Sequence, residues 1–440
     1  MTVDSSSSFS PPATVVEIAR TLTDAGFETW CVGGAVRDAL LGLTNLDWDI
    51  ATAALPTQVQ KLFRRTVPVG IMFGTVGVLD RHGVMHEVTT FRRDVSTDGR
   101  HAVVEFGASL DEDLARRDFT VNAIAFDPIG RRLHDPFAGR ADLASGIIRA
   151  VGDAEERMRE DRLRALRAIR FAARFDFEFD PATWTAVVAS APYLGRLSPE
   201  RVKQEIEKTL DQTERPSQAF SRWREAGAFE SVVPALAAVS DRSLAAIDCL
   251  AKPGLRGRPG RRALRLAALF GDTDGNSAER ALRALRFSNQ DTAWVSGLVQ
   301  RWAQFGAALT SEVVDADSVP PDASLRRLAS RIGRLRVAAF MRLAAAHWAV
   351  LPEATRPSAS TVRALHRRLV RVAFHDAIEA GDLAVDGDDL RAAGIPAGPA
   401  LGRLLAMLLA EVIETPSLNE RTQLLSRAHA LRDMALPRGD

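Results

Sequence analysis

The chain has 440 residues, 46% of them hydrophobic and 26% charged, with a formal net charge of +1. That length exceeds one compact domain and predicts roughly two to four units with a large buried core. No apolar run of about 18 residues predicts a membrane span. The two cysteines, Cys31 and Cys249, exclude a disulfide scaffold or a thiolate zinc site and fit a reducing cytoplasm. Bulk charge near zero points to no particular partner.

The polar lead MTVDSSSSFSPP (1–12) lacks an apolar signal core and reads as short and disordered. Residues 13–27 have helical spacing and stop at Gly26. TWCVGG follows as a short buried strand, and AVRDALL as a helix that Gly42 terminates in the left-handed conformation. LDWDIAT alternates as a strand. Residues 56–63 form a helix with proline in its first turn. Two strands, 75–79 and 84–91, are joined by a turn at 80–83. From about residue 150 the texture changes. EERMREDRLRALRAIRFAARF is strongly helical, and Ala/Leu/Arg-rich helices succeed one another while strand signals vanish. Pro/Gly breaks at 252–260, 317–322 and 351–358 separate helical subunits. The fold class is α+β: an N-terminal mixed sheet-plus-helix head, then an elongated all-helical remainder.

Almost every base is arginine; lysine occurs only at Lys61, Lys203, Lys208 and Lys252. A G+C-rich genome accounts for the total, so each arginine is judged by its neighbours. The glycine pair Gly33 and Gly34 opens a helix after a strand, an arrangement whose free N–H groups attract phosphate, with Arg37 in the first turn. Such a turn alone more often just packs a strand on a helix. Asp47 and Asp49, two apart in a strand, project to one face about 7 Å apart. Carboxylates so placed repel unless a cation lies between them, and hard oxygens suit Mg²⁺ shared with substrate phosphates.

Two arrays extend this pattern. In DLARRDFTVNAIAFD (113–127), Arg116, Arg117, Asp118 and Asn122 surround Phe119, a mix fit for ribose and triphosphate; a capped, ion-paired helix start is the alternative. The second is REDRLRALRAIRFAARF (159–175), read as one helix. Its stripe of Leu163, Leu166, Ile169 and Ala173 faces the core. Asp161 and Arg164 lie nearly opposite, among Ala165, Ala168 and Ala172, which leave that face uncrowded; Arg167 and Arg170 continue round it. Together Asp161 and Arg164 offer acceptors and donors to the edge of a base, or else form an i,i+3 ion pair on a wet surface.

Taken in order, GGAVRDALLG with LDWDIAT, RRDFTVNA, EDRLRALRAIRF and LSPERVKQEIEKTL resemble the class II tRNA nucleotidyltransferase and poly(A) polymerase family, within the polymerase-β-like nucleotidyltransferases. The resemblance runs from about residue 28 to about 235. It implies a nucleotidyltransferase head (13–150), a neck that recognises the base (151–215), a body (216–325) and a tRNA-binding tail (326–440). It implies that Asp47 and Asp49 hold catalytic Mg²⁺, with Glu87 as a third carboxylate. Gly33, Gly34 and Arg37 would contact the triphosphate, and Arg117, Asp118 and Asn122 the sugar and phosphates. Asp161 and Arg164 would select CTP and ATP, with Arg167 and Arg170 completing the site. The implied partners are tRNA, CTP and ATP, and the implied location is the cytoplasm. RRTVPVGIMFGTVGVL (64–79) resembles CCA-adding members more than poly(A) polymerases. The segment 92–106 would be a loop that switches the site from C to A, although Ala102 stands where relatives carry proline. Poly(A) synthesis or addition of A alone remains open on this reading. His375–Asp376 resembles half of a phosphohydrolase metal site but lacks companion histidines, and is taken as part of an ordinary helix.

Overall fold

The structure, a computed structural model, describes residues 10–44, 47–97, 102–253, 259–316 and 318–435. Most of the expected N-terminal lead and parts of the 92–106 and 252–260 segments lie outside these. The chain separates into two compact units, Met1–Ala237 and Ala238–Asp440.

The first unit holds the sheet. In chain order come α1 (Ala13–Asp24), β1 (Thr29–Val32), α2 (Gly34–Leu40), β2 (Asp49–Thr52), α3 (Pro56–Leu62), β3 (Thr66–Gly70), β4 (Thr75–Leu79) and β5 (Met85–Thr90). There follow β6 (Arg92–Thr97), β7 (Ala102–Phe106), α4 (Leu110–Ala115), β8 (Ala125–Asp127) and β9 (Arg132–His134). Seven strands form one mixed sheet in the order β3-β4-β5-β2-β1-β8-β9. β1 runs antiparallel to β2, with Val32 opposite Asp49, and β2 runs parallel to β5, with Ile50 beside Val88. Helices α1 and α3 pack on one face. The core there is Val15, Ile18, Leu22, Val36, Trp48, Ile50, Val59, Val76, Val78 and Val88. On the other face a second cluster, with Val32, Ala51, Phe91, Leu110, Leu114 and Ala125, covers the β1, β2 and β8 end. Over β3, β4 and β5 that face is partly open among the described residues: Val67, Val69 and Met85 are all exposed.

Several elements follow from local sequence. Gly33 turns the chain with φ +75°, where only glycine is unstrained, and α2 starts at Gly34. Gly42 at φ +73° follows the end of α2. Ser109 and Glu112 cap α4 reciprocally, and Asp111, Glu112 and Asp113 fill its first turn. The segment expected as a loop at 92–106 pairs β6 with β7 as a hairpin, Arg92 opposite Phe106 and Arg93 opposite Glu105. Residues 98–101 at its tip lie outside the described residues. Strand β3, which the sequence reading missed, is an edge strand interrupted by Pro68, so its alternation is weak.

After β9 come α5 (Gly139–Ser145), β10 (Ile147–Ile148), α6 (Ala154–Glu160), α7 (Leu163–Phe175), β11 (Glu178–Phe179), α8 (Pro181–Ser190), α9 (Pro199–Gln212) and α10 (Pro216–Glu225). Here one expectation is corrected. Residues 159–175 are two helices, because Asp161 is extended (φ −147°, ψ 102°) and its Oδ1 accepts the Leu163 N–H at 3.1 Å. The carboxylate bonds the start of α7 instead of letting α6 continue, the usual competition between aspartate and helix. A second correction concerns the alanines. Ala165, Ala168 and Ala172 are buried along with Leu163, Leu166 and Ile169, so α7 is packed nearly all round rather than open on one side.

In the second unit the described residues form helices and turns without a strand, the longest helix being Asn289–Ala316. No helix among the described residues is long and apolar enough to cross a membrane.

Candidate nucleotide and metal site

A cleft of about 500 Å³ opens in the first unit where α2, the turn before Phe119, α7 and α9 converge. Its wall contains all ten residues expected to bind nucleotide: Gly33, Gly34, Arg37, Arg117, Asp118, Asn122, Asp161, Arg164, Arg167 and Arg170. Asp49 also lines it. Asp47 and Glu87 do not, and both are exposed. The wall adds Arg116, Arg174, Arg201, Lys208 and Gln212, so nine basic side chains face three acidic ones, Asp49, Asp118 and Asp161. A chain of net charge +1 thus concentrates positive charge where a polyanion fits.

So many cations stay together because carboxylates bind most of them from behind. Arg37 Nε donates to Asp38 at 2.7 Å, and Arg174 Nη2 donates to the same carboxylate at 2.8 Å. Arg37 Nη1 also donates to Asn122 Oδ1. Arg117 Nη2 reaches Asp113 at 3.2 Å. Arg170 Nε donates to Glu205 at 2.6 Å, and Lys208 lies 3.8 Å from the other Glu205 oxygen. The ring of Phe171 spreads the crowding further, with the Arg37, Arg167 and Arg170 guanidiniums 4.9, 5.3 and 4.3 Å from its centroid.

Asp118 organises the middle of the cleft. Its Oδ1 accepts from Phe119 N at 2.9 Å and Asn122 Nδ2 at 2.8 Å, and its Oδ2 from Arg167 Nε at 2.8 Å. Burial opposes its charge, but the Arg167 guanidinium and the Asn122 hydrogen bond outweigh it and hold the carboxyl down at about 2. Gly33 is fitted to this neighbourhood. A Cβ there would lie 2.7 Å from Arg117 Nη1 and 4.0 Å from Asp49 Oδ2.

Asp161 and Arg164 share the wall but do not pair. Asp161 Oδ2 accepts from Arg201 Nη2 at 2.7 Å. Arg164 Nη1 donates to Glu160 at 2.6 Å, and its Nη2 to the Arg116 carbonyl at 3.0 Å. The alternative reading, an i,i+3 ion pair on a wet surface, does not hold, because the break before α7 takes Asp161 off that helix.

The carboxylates meet differently from the simple strand picture. Strand β2 begins at Asp49, and Asp47 stands in the segment leading into it, while Trp48 between them is buried in the core. The parallel register of β2 and β5 sets Glu87 beside Asp49. Burial first, then the charges of Asp47 and Glu87, push the Asp49 carboxyl up to about 6 against the opposing pull of Arg117. Carboxylates so disfavoured are relieved by a cation, which fits a divalent metal. Among the described residues no three His, Cys, Asp or Glu side chains are grouped to hold a metal by themselves. Substrate oxygens would have to complete the shell.

Sequence reading missed the contribution of α9. Arg201, Glu205, Lys208 and Gln212 recur at spacings of four, three and four, one stripe of a helix whose buried side carries Val202, Ile206 and Leu210. That spacing was the available signal. His375 is exposed at the end of the helix Ala359–His375, and Asp376 accepts from Arg326 Nη1 at 3.2 Å, a contact between helices in the second unit.

Comparison with known proteins gives this arrangement a family. Residues 29–149 match the poly A polymerase head domain, and residues 176–239 the probable RNA and SrmB-binding site of polymerase A. The chain is 51% identical over 191 residues to a CCA-adding enzyme of Leuconostoc mesenteroides, a match spanning 43% of this chain and 47% of that enzyme. It is 34% identical over 413 residues to a CCA-adding enzyme of Limosilactobacillus fermentum, across 93% of this chain and 94% of that one. The crystal structure of the Bacillus stearothermophilus CCA-adding enzyme in complex with CTP superposes with a TM-score of 0.74 at 32% identity, covering 97% of this chain and 99% of that chain.

Proposed function

The chain belongs to the CCA-adding enzymes, a family of tRNA nucleotidyltransferases, and on that premise we propose that it adds C, C and A in turn to the 3′ end of tRNA, drawing on CTP and ATP without a nucleic-acid template. The observation that carries this reading is the single cleft that gathers every expected nucleotide contact beside Asp49.

The triphosphate lies against Gly33 and Gly34, where absent side chains let it approach the backbone. Arg37, Arg117 and Arg167 neutralise it, with Asp118 and Asn122 fixing their geometry and the ribose. Arg170 braces the site through Glu205. For the base, the Asp161 carboxylate accepts and the Arg164 guanidinium donates hydrogen bonds. These exchange for the present contacts with Arg201 and Glu160, so a base whose edge cannot satisfy both groups leaves a charge unpaired. The RNA 3′-oxygen then bonds to the α-phosphorus as the bond to the β-phosphate oxygen breaks and pyrophosphate leaves, roughly in line.

The family works with a divalent metal ion. Here the hard, crowded carboxylates of Asp47 and Asp49 favour Mg²⁺, with Glu87 adding negative charge alongside. Such an ion supplies charge neutralisation at the α-phosphate and activation of the attacking oxygen. The neck, body and tail divisions expected from sequence stay part of this proposal, with the C-terminal helices gripping tRNA through backbone and shape. Two unpaired thiols, Cys31 and Cys249, suit work in the cytoplasm.

The test is incubation with Mg²⁺ and tRNA lacking its 3′ CCA, giving each nucleotide singly and then CTP with ATP. Ordered addition of C, C and A that stops there is expected. Long A tails, or addition of A alone to RNA already ending in CC, would instead assign the chain to the poly(A) or A-adding branch.

A further inference from the structure

The catalytic carboxylates stand at one end of a row that continues across the sheet. Register places Asp49 of β2 beside Glu87 of β5, Glu87 opposite Gly77 of β4, and Gly77 opposite Val67 of β3. Residues so paired share a face. Val69 and Met85 overhang the same spot, since a Cβ on Gly77 would meet Val69 Cγ2 at 2.9 Å and Met85 Sδ at 2.7 Å. Val67, Val69 and Met85 are 37%, 43% and 42% exposed. The open half of the sheet therefore carries an apolar floor of Val67, Val69 and Met85 that starts at Glu87 and runs to the edge strand, with the Thr75 and Thr89 hydroxyls bonded to each other at 3.0 Å along one side. It extends about 14 Å from Asp49, three strand spacings of about 4.8 Å.

We infer that this floor is the platform for the unpaired 3′ end of the RNA, a reading that rests on the nucleotidyl transfer proposed above. Direction argues for it first. Attacking and leaving oxygens lie roughly in line at phosphorus. The basic cleft holds the triphosphate on the β1 and α2 side of Asp49 and takes no wall residue from β3, β4 or β5. The attacking hydroxyl then arrives from the opposite side, over β5, β4 and β3. Chemistry argues for it second. The terminal base changes with each addition, so its seat has to accept any base. Aliphatic and thioether side chains give every base face the same van der Waals contact and carry no strong hydrogen-bonding group that would discriminate among them. A protein partner would leave the catalytic face blocked, whereas an RNA end brings its reactive hydroxyl to the carboxylates.

The test compares wild type with a Val69→Ser/Met85→Ser double variant, with Val67→Phe, and with Val84→Ser, an exposed turn position outside the floor. For the double variant a rise of about fivefold to tenfold in KM for tRNA lacking CCA is expected, with CTP affinity measured without RNA unchanged. Val84→Ser should leave both unchanged, and Val67→Phe should lower the RNA KM by enlarging the stacking surface. Unchanged RNA KM in a double variant that keeps its melting temperature would overturn the platform while ordered CCA addition still stood. If the double variant misfolds, Val67→Phe decides, and no change in its RNA KM would overturn it. Failure of the wild type to extend any RNA would overturn the transfer reading itself.

Discussion

Asp49 shows what the site costs the fold. Its carboxyl titrates near 6 in the folded chain against an ordinary value of 3.8. Between those values the folded state keeps a proton that the unfolded chain has released, so stability falls as pH rises through that window and stays lower above it. Asp49→Asn removes the charge. In EDTA at pH 8 we expect the variant to be more stable than wild type by about 1–2 kcal/mol, a gain that vanishes below pH 4. Thermal unfolding at both pH values checks the sign; a lower melting temperature at pH 8 would contradict it. The same variant should lose nucleotide addition. Gly33 is a second such position, where φ of +75° and Arg117 Nη1 at 2.7 Å from a Cβ both oppose a side chain. Gly33→Ala should lower CTP affinity at least tenfold, by displacing Arg117, while costing about 1–2 kcal/mol of stability. Isothermal binding and denaturant unfolding measure the two separately.

At the level of elements, what was legible in the sequence was local. Gly33–Gly34 and the Arg117–Asp118 pair announce themselves because each lies within one turn, where chain chemistry fixes geometry, whereas of the Asp-Trp-Asp run only Asp49 lies in the strand that its alternation predicts. Asp161 and Arg164 were found as residues but misplaced as a unit. The helical period predicts one continuous helix, and only the contact of Asp161 with the Leu163 amide and with Arg201, forty positions on, shows why it breaks. The α7–α9 seam was hidden for the same reason. Arg170 and Glu205 are 3% and 1% exposed and 35 residues apart, so each looks like a surface charge until tertiary packing joins them. Removing one partner takes from the other buried charge its close counter-ion at 2.6 Å. Glu205→Ala is expected to destabilise the first unit by about 3 kcal/mol, and Arg170→Met with Glu205→Leu to recover most of that loss. Urea midpoints for the single and double variants test the pair; equal losses in both would show that packing, and not the unpaired guanidinium, sets the cost.

For the whole molecule, charge distribution matters more than charge total. A net charge of +1 gives little long-range attraction for RNA, yet the cleft wall carries nine bases against three acids. Attraction is therefore local, exerted over about a Debye length, and it is released by salt. Each phosphate neutralised by arginine or lysine adds about 0.7–0.9 to the slope of log affinity against log salt. Asp47→Ala with Asp49→Ala is expected to abolish addition, so that binding is measured without turnover. Its tRNA affinity between 50 and 200 mM salt should fall linearly on that plot with a slope of about −3 or steeper, as several phosphate contacts require. If those contacts come from arginines and not from the carboxylates proposed to hold metal, the slope matches that of wild type in EDTA. A flat line would mean that shape and apolar contact hold the RNA, and that the cleft's arginines serve the nucleotide alone. A slope that differed between variant and wild type would place RNA phosphates at the carboxylates themselves.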